Sequence, residues 1–299
     1  GAFQRYRGSG NDYWPGPLTT DGKASITSEV CDEYDKIFVI TREEVDAFIL
    51  KFNNPEYPDY VVPDIIKNWP ANGDVSKGQS QWLAPFFDQN NDDVYYWTQG
   101  DYPYYDIDNT LCKPTKNSNN EYYYEPTQEG GILADAVLKG DQTLWWVFND
   151  NGNIHSETKG TAIGVEIRAQ AFAFSTNDEI NNMTFYTYEI INRSTFRLTN
   201  TYFSQWVDTD LGYANDDYVG CDVERGLGYC YNGSAIDGLG KPEHYGVQPP
   251  AVGVDFFQGP YMDPDNKDNP KYDPNGVQYC DESINGVNFG DSIKDNERF

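Results

Sequence analysis

The sequence predicts a mostly-β chain, an antiparallel β-sandwich with long Asp/Asn/Gly/Pro-rich loops and one short amphipathic helix near residues 42–52. Three observations predict it. Tyr 24, Phe 16 and Trp 7 stand against Met 2, and aromatic and β-branched side chains suit pleated, half-buried strands. Abundant Asn, Asp and Gly, with 17 Pro, supply turns. Between residues 143 and 207 several runs alternate apolar and polar with period two, with turn signals between them, as successive antiparallel strands do.

A chain of 299 residues buries a sizeable core as one or two domains. The pattern divides it into a loop-rich portion over 1–135, a sandwich core over 136–260 and a loop-rich extension over 261–299, or joins all three in one domain. Formal net charge is −27. That argues against nucleic acid as a partner, because phosphate binding requires Lys and Arg, and it disfavours anionic membrane surfaces. No apolar run is long enough to span a bilayer. Five Cys in so acidic a chain fit an oxidising, extracytoplasmic setting.

In chain order, residues 3–7 read as a short strand and 8–12 as a turn. Two prolines keep 13–18 from regular structure, leaving Trp14 in an irregular lid. Thr41 and Glu44 form a T-x-x-E capping box, with Val45, Phe48, Ile49 and Phe52 following at helical spacing, so 42–52 is the predicted helix. Residues 63–69 add one helical turn, halted by Pro70.

Residues 78–112 hold six Asp and no Lys or Arg. Asp88, Asn90 and Asp92 alternate as D-x-N-x-D, the opening of many calcium loops, which sets oxygens on one side of a tight turn. Asp93 and Gln99 stand where an EF-hand places its Gly and closing Glu, so this is a different loop, with Asp101 as the closing ligand. The competing reading is a solvated Asn/Asp turn. Residues 113–131 are polar and turn-rich and read as an inserted loop.

Strands follow at 143–148, 164–175, 184–191 and 202–207. Glu166 and Glu189 are strand-borne carboxylates, and an ion pair from Glu166 to Arg168 or Arg193 is the expected role of the first. His155 and His244 read as loop histidines, since neither has a nucleophile motif beside it. Strand-borne Trp145, Trp146 and Trp206 belong to the core. Loop aromatics Trp14, Trp97, Tyr104, Tyr105 and the run 122–124 are the candidates for contact with sugars.

The densest chemistry lies at 206–222. Asp208, Asp210, Asp216, Asp217 and Asp222 crowd between two strands, with no Lys or Arg from 198 to 224. Carboxylates a few ångström apart repel by on the order of 1 kcal/mol per pair even when well screened. A hard cation taking oxygen ligands, Ca²⁺ above all, reverses that sign. The hairpin leaving this stretch reads as a two-residue turn at Arg225-Gly226, which places Cys221 opposite Cys230 in a non-hydrogen-bonded pair. There the Cα atoms lie ~4.5 Å apart, within disulfide reach. The alternative is a bridge from Cys221 to Cys31; the pairing of Cys31, Cys112 and Cys280 stays open.

Nine strings in order carry a wider likeness: NDYWPGPL (11–18), the region 31–46 around T-R-E-E-V-D, LAPFFDQNNDDVYYWTQGDYP (83–103), KGDQTLWWVFNDNGNIH (139–155), GVEIRAQAFAF (164–174), NNMTFYTYEIINRS (181–194), WVDTDLGYANDDYVGCD (206–222), LGYCYNG (227–233) and PPAVGVDFFQGP (249–260). Together they resemble a large family of secreted Bacteroidota proteins that carry a C-terminal type IX secretion sorting domain. The sorting domain is not among these strings. The resemblance implies export to the outer surface or beyond, with family sequence upstream and downstream of this piece. It supplies no activity. Two departures stand out: Asn91 and Asp93 replace the glycines of the family's D-x-N-G-D-G turn, and the segment 104–138 is longer. Asp291-Ser292-Ile293 matches the short O-glycosylation pattern of this group of bacteria and marks Ser292. The expected protein is therefore an extracellular, calcium-stabilised adhesin or structural surface or filament component, acting on itself, other surface proteins or polysaccharide. A carbohydrate-binding module is the alternative and a glycan-active hydrolase ranks third.

Overall fold

The computed structural model describes residues 10–104, 138, 140–198, 201, 203–223 and 225–255, with the backbone of four two-residue strands beyond these. Apart from those strands, the sequence readings at 3–7, 113–131 and 261–299 lie outside the described residues, as do those for Tyr105, Cys112, Cys280 and Ser292. Antiparallel strands dominate, as the composition predicts. The chain forms two compact units, Gly1–Arg197 and Leu198–Phe299.

Unit one runs β1 (Trp14–Pro15), α1 (Ser28–Tyr34), β2 (Phe38–Thr41), α2 (Arg42–Lys51), α3 (Asp64–Lys67), the ribbon β3 (Phe86–Phe87) and β4 (Tyr102–Pro103), the ribbon β5 (Thr115–Lys116) and β6 (Tyr122–Tyr123), then β7 (Gln142–Asn149), β8 (Val165–Ala173) and β9 (Thr184–Asn192). The last three form the centre of one antiparallel sheet in the order β1-β7-β8-β9, with β2 also paired to β7. Alternation in β7 is strict, with Thr143, Trp145, Val147 and Asn149 buried. Facing residues in an antiparallel pair share a side, so Phe38 opposite Trp145, Ile40 opposite Thr143 and Phe172 opposite Thr143 extend that buried face.

Helices and irregular segments cover this face. Val30 and Tyr34 from α1, Val45 and Phe48 from α2, Ile66 from α3, and Trp69, Leu83, Tyr95 and Tyr102 close one core around Trp145. A second facing sheet, which the sandwich reading expects, is not part of this cover among the described residues. The capping box forms as predicted: Thr41 Oγ1 accepts from the Glu44 amide, and Glu44 reaches back to the Thr41 amide at 2.9 Å. Such a cap stabilises a helix by about 1 kcal/mol. Phe52 stacks on Phe48 at 4.7 Å, whereas Ile49 is 47% exposed, so the apolar stripe is narrower than its spacing suggests. Helix α1, which the sequence reading misses, starts at Thr27, whose side chain accepts from the Val30 amide.

Unit two holds a three-stranded sheet, β10 (Asp217–Asp222), β11 (Leu227–Asn232) and β14 (Ala251–Asp255), and the ribbon β12 (Ile236–Asp237) with β13 (Gly246–Val247). The backbone pair β15 (Ser283–Ile284) and β16 (Val287–Asn288) also belongs to it. The hairpin forms, but its register corrects the sequence reading. Asp222 pairs with Leu227 and Cys221 with Gly228, while Cys230 faces Val219. The turn therefore has four residues, with the Asp222 carboxylate accepting the Arg225 amide at 3.2 Å and pairing with its guanidinium. That leaves Cys221 and Cys230 diagonal, roughly 7–8 Å apart, beyond the ~3.5–4.5 Å between Cβ atoms that a disulfide requires. Cys31, Cys221 and Cys230 are free thiols, and Cys230 donates to the Thr209 carbonyl. The apolar run before the acidic cluster is likewise not in a sheet among the described residues. Phe203, Trp206 and Val207 are 50%, 54% and 43% exposed there.

Candidate metal centres

The acidic stretch of unit two separates into different environments. Asp222 is engaged by Arg225 at the hairpin. Asp208 is exposed and Asp210 is exposed on the incoming segment. Asp216 and Asp217 turn inward, where the sequence reading did not look for company. Asp217 opposes Asn232 across the β10–β11 ladder, and the segment after β11 brings in Asp237, which is fully buried.

Backbone amides hold these carboxylates in place. Asp217 Oδ2 accepts from the Leu211 amide at 3.0 Å, and Asp216 Oδ2 from the Gly238 amide at 2.9 Å. Asp237 takes the Tyr213 amide at 2.9 Å and the Tyr245 amide at 2.5 Å. Gly212 has φ +78, and a Cβ there would lie 2.1 Å from Asp237 Oδ2, so only glycine lets the loop close over that carboxylate. Burial pushes the Asp237 carboxyl up. The two amides, His244 and a hydrogen bond with Asp216 outweigh it and hold the group below its ordinary value.

Three atoms remain. Asp216 Oδ1, Asp217 Oδ1 and Asn232 Oδ1 are buried and have no hydrogen-bond partner. All three are acceptors. A buried acceptor without a donor costs about 1–3 kcal/mol, more when charged. Asp217 follows Asp216 in the chain and faces Asn232 across the ladder, and oxygens lacking donors suit a hard cation with six to eight oxygen ligands. Among the described residues no three His, Cys, Asp or Glu side chains close on a common point. Asp216, Asp217 and Asp237 therefore do not make a ligand set by themselves, and a cation here would draw on the Asn232 carboxamide with at most two of them.

The D-x-N-x-D turn of unit one is organised differently. Asp88 Oδ1 accepts the Asn91 amide at 2.7 Å and the Asp92 amide at 3.3 Å, and its Oδ2 accepts the Asp93 amide at 2.7 Å. Asn91 and Asp93 have φ of 58° and 64°. These two positions keep the left-handed backbone that glycine usually supplies. Asn90 Oδ1 accepts the Asp92 amide, its Nδ2 donates to Asp92 Oδ2 and Gln99 Oε1, and Asp92 Oδ1 accepts the Val94 amide. Asp101 is fully buried and accepts the Gln89 and Tyr96 amides at 2.9 and 2.7 Å. Burial, and then the charges of Asp88 and Asp92, raise its carboxyl above the ordinary value despite those amides. The three carboxylates are thus close enough to repel, and amides already occupy much of their capacity.

Glu166 and His155 sit among closer-paired polar groups. Glu166, fully buried, accepts from Arg168 Nε at 2.9 Å, from Arg193 Nε and Nη2 at 3.0 and 3.1 Å, and from the Leu18 amide at 3.0 Å. The ion pair expected from the sequence to Arg168 or Arg193 forms to both. His155, 2% exposed, lies between Asp12 and Asp150 at 3.9 and 3.8 Å. Those carboxylates collect loop amides: Asp12 from Glu157 and Thr158, Asp150 from Ile163, Gly164 and Val165. Each gathers a loop by accepting several donors, and the histidine is sealed between them.

The described members of the loop aromatics proposed for sugar contact, Trp14, Trp97 and Tyr104, pack against other rings. Trp14 lies 5.9 Å from the His155 ring and against Gly152. Trp97 packs edge-on to Phe52, and Tyr104 to Phe87. A row of exposed aromatics lies instead on the sheet of unit two. Tyr218, Tyr231 and Tyr229 form a row with centroids 6.1 and 5.9 Å apart. They share one face, since Tyr218 opposes Tyr231 and Tyr229 opposes Gly220. A Cβ at Gly220 would lie 2.4 Å from the Tyr229 ring, so the ring rests flat on the backbone.

No family model, curated protein or solved structure matches the chain.

Proposed function

We propose that this chain is a secreted or cell-surface, non-catalytic protein stabilised by calcium, serving as an adhesin or structural component of a surface layer or filament. The observation that carries it is that Asp216 Oδ1, Asp217 Oδ1 and Asn232 Oδ1 are buried acceptors without a hydrogen-bond partner, with Asp217 directly opposite Asn232 across the β10–β11 ladder. Calcium there stabilises by mass action and relieves the repulsion. The D-x-N-x-D turn, with Asp88, Asn90, Asp92 and Asp101, is the second and weaker site, because amides already satisfy its oxygens. The resemblance to type IX-secreted proteins and the net charge of −27 support an extracellular setting, where calcium is plentiful. Among the described residues no helix is long and apolar enough to cross a membrane. Equilibrium dialysis with ⁴⁵Ca tests the reading. Retention by the unmodified chain and loss in Asp216→Ala support it, and no retention by the unmodified chain refutes it.

A second reading, a surface for neutral polysaccharide, is favoured by the tyrosine row. Tyr218, Tyr229 and Tyr231 are 59%, 39% and 43% exposed, and flat phenol faces stack on the apolar faces of sugar rings. Retardation in gels containing neutral glycans, abolished by Tyr229→Ala, would establish it; unchanged mobility across a glycan panel would remove it.

A further inference from the structure

We infer that the free edge of β9 docks a second copy of this chain, extending the sheet across a two-fold axis at Tyr188. The inference deepens the building-block part of the proposed function and rests on that reading, while needing no metal.

Three observations carry it. The first is the direction of the backbone groups. Arg193 donates its amide to the Gly164 carbonyl at 2.9 Å, which makes 164/193 a hydrogen-bonded pair in the β8–β9 ladder. Bonded and non-bonded pairs alternate. Residues 185, 187, 189 and 191 therefore bond to β8. Thr184, Tyr186, Tyr188, Ile190 and Asn192 turn their N–H and C=O groups outward, where no described residue receives them.

The second is the absence of protection. Exposed edges are ordinarily blunted by Lys, Pro, a bulge or brevity. β9 has nine residues in unbroken register and no Lys or Pro. Its one charge, Glu189, lies on the opposite face and is held by Arg168 at 3.4 Å.

The third is self-complementarity. Tyr188 is the midpoint of Thr184–Asn192, so a two-fold axis there engages both ends of the strand. It sets Tyr188 against its own copy, Tyr186 against Ile190, and Glu189 against Thr187. Each outward residue then meets an outward residue, aromatic meets β-branched, and no like charges face. An axis at Glu189 would oppose two carboxylates. The side chains of Tyr186, Tyr188 and Ile190 are 52%, 44% and 40% exposed, on a face that continues through Ala169, Ile167, Trp146 and Val39. Among the strand residues of that face there is no Asp, Glu, Lys or Arg. In a chain of net charge −27, such a face lets two copies approach without like charges meeting, and the contact is isologous.

Cysteine scanning with sedimentation equilibrium tests this, in calcium and in chelator. The unmodified chain should sediment at twice 34.0 kDa, and Tyr188→Lys, checked for retained structure by circular dichroism, should be a monomer. In a hydrogen-bonded pair the Cα atoms lie ~5.5 Å apart, within disulfide range. Tyr188→Cys should therefore oxidise to a covalent dimer well above the background of the unmodified chain's own thiols. Tyr186→Cys should not, because its counterpart is Ile190, but it should cross-link when mixed with Ile190→Cys. A monomer at every concentration, or Tyr188→Cys cross-linking no better than Tyr186→Cys, overturns the inference. Either result leaves a calcium response of unit two untouched, so the two proposals fail separately.

Discussion

Replacing Glu166 with Ala tests how unit one is held together. The carboxylate is fully buried and satisfies two guanidiniums and the Leu18 amide. Both arginine side chains are largely sheltered, with 10% and 15% exposure. Removing one partner of a buried ion pair costs about 3–5 kcal/mol, because it leaves uncompensated charge. The stranded Leu18 amide adds about 1–3 kcal/mol. Partial access of both guanidiniums to water, and the bond from Arg168 to Glu189 at 3.4 Å, offset some of this. The net expectation is therefore about 3–5 kcal/mol. For a unit of this size that lowers the melting temperature by roughly 6–20 °C. Thermal unfolding followed by circular dichroism reads it directly. A loss below about 1 kcal/mol would mean that the arginines find other partners at little cost, and the account of Glu166 as the anchor of β1, β8 and β9 would be wrong.

Two further outcomes follow. With calcium chelated, the folded Asp101 carboxyl binds its proton more tightly than in the unfolded chain, because its value is raised above 3.8. Its contribution to stability should therefore fall as pH rises from that value through the raised one. Subtracting the unfolding curve of Asp101→Asn isolates this contribution, and a rise over that window contradicts the assignment. Under native conditions Cys221 should react with a thiol reagent and Cys230, 3% exposed, only on unfolding; recovery of a Cys221–Cys230 peptide would refute the register.

The parts legible in the sequence are those fixed by neighbours in the chain. The Thr41–Glu44 capping box is a four-residue signal, and it forms as written. Alternation marked β7, β8 and β9, and the charges on β8 and just past β9 foretold the Glu166 ion pairs. Helix α1 escaped because only Val30 and Tyr34 of its seven residues are buried, too few to make a stripe. The hairpin register escaped because Arg225-Gly226 reads as a two-residue turn, while the Asp222 carboxylate closes a longer one. Asn232 and Asp237 joined Asp216 and Asp217 only through strand pairing and the segment after β11. Clustering along the chain therefore found Asp216 and Asp217 but not Asn232 or Asp237, and grouped with them the exposed Asp208 and Asp210 and the Arg225-paired Asp222.

The central claim is that a cation belongs among Asp216, Asp217 and Asn232. Thermal unfolding of the unmodified chain and of Asn232→Ala, each in excess calcium and in excess chelator, tests it most directly. At a calcium concentration a hundred times the dissociation constant, binding stabilises by about 2.7 kcal/mol. The account predicts a higher melting temperature in calcium for the unmodified chain and a much smaller shift in Asn232→Ala, whose side chain carries no charge to confuse the comparison. Identical melting in calcium and chelator, or an equal calcium shift in both proteins, would contradict it.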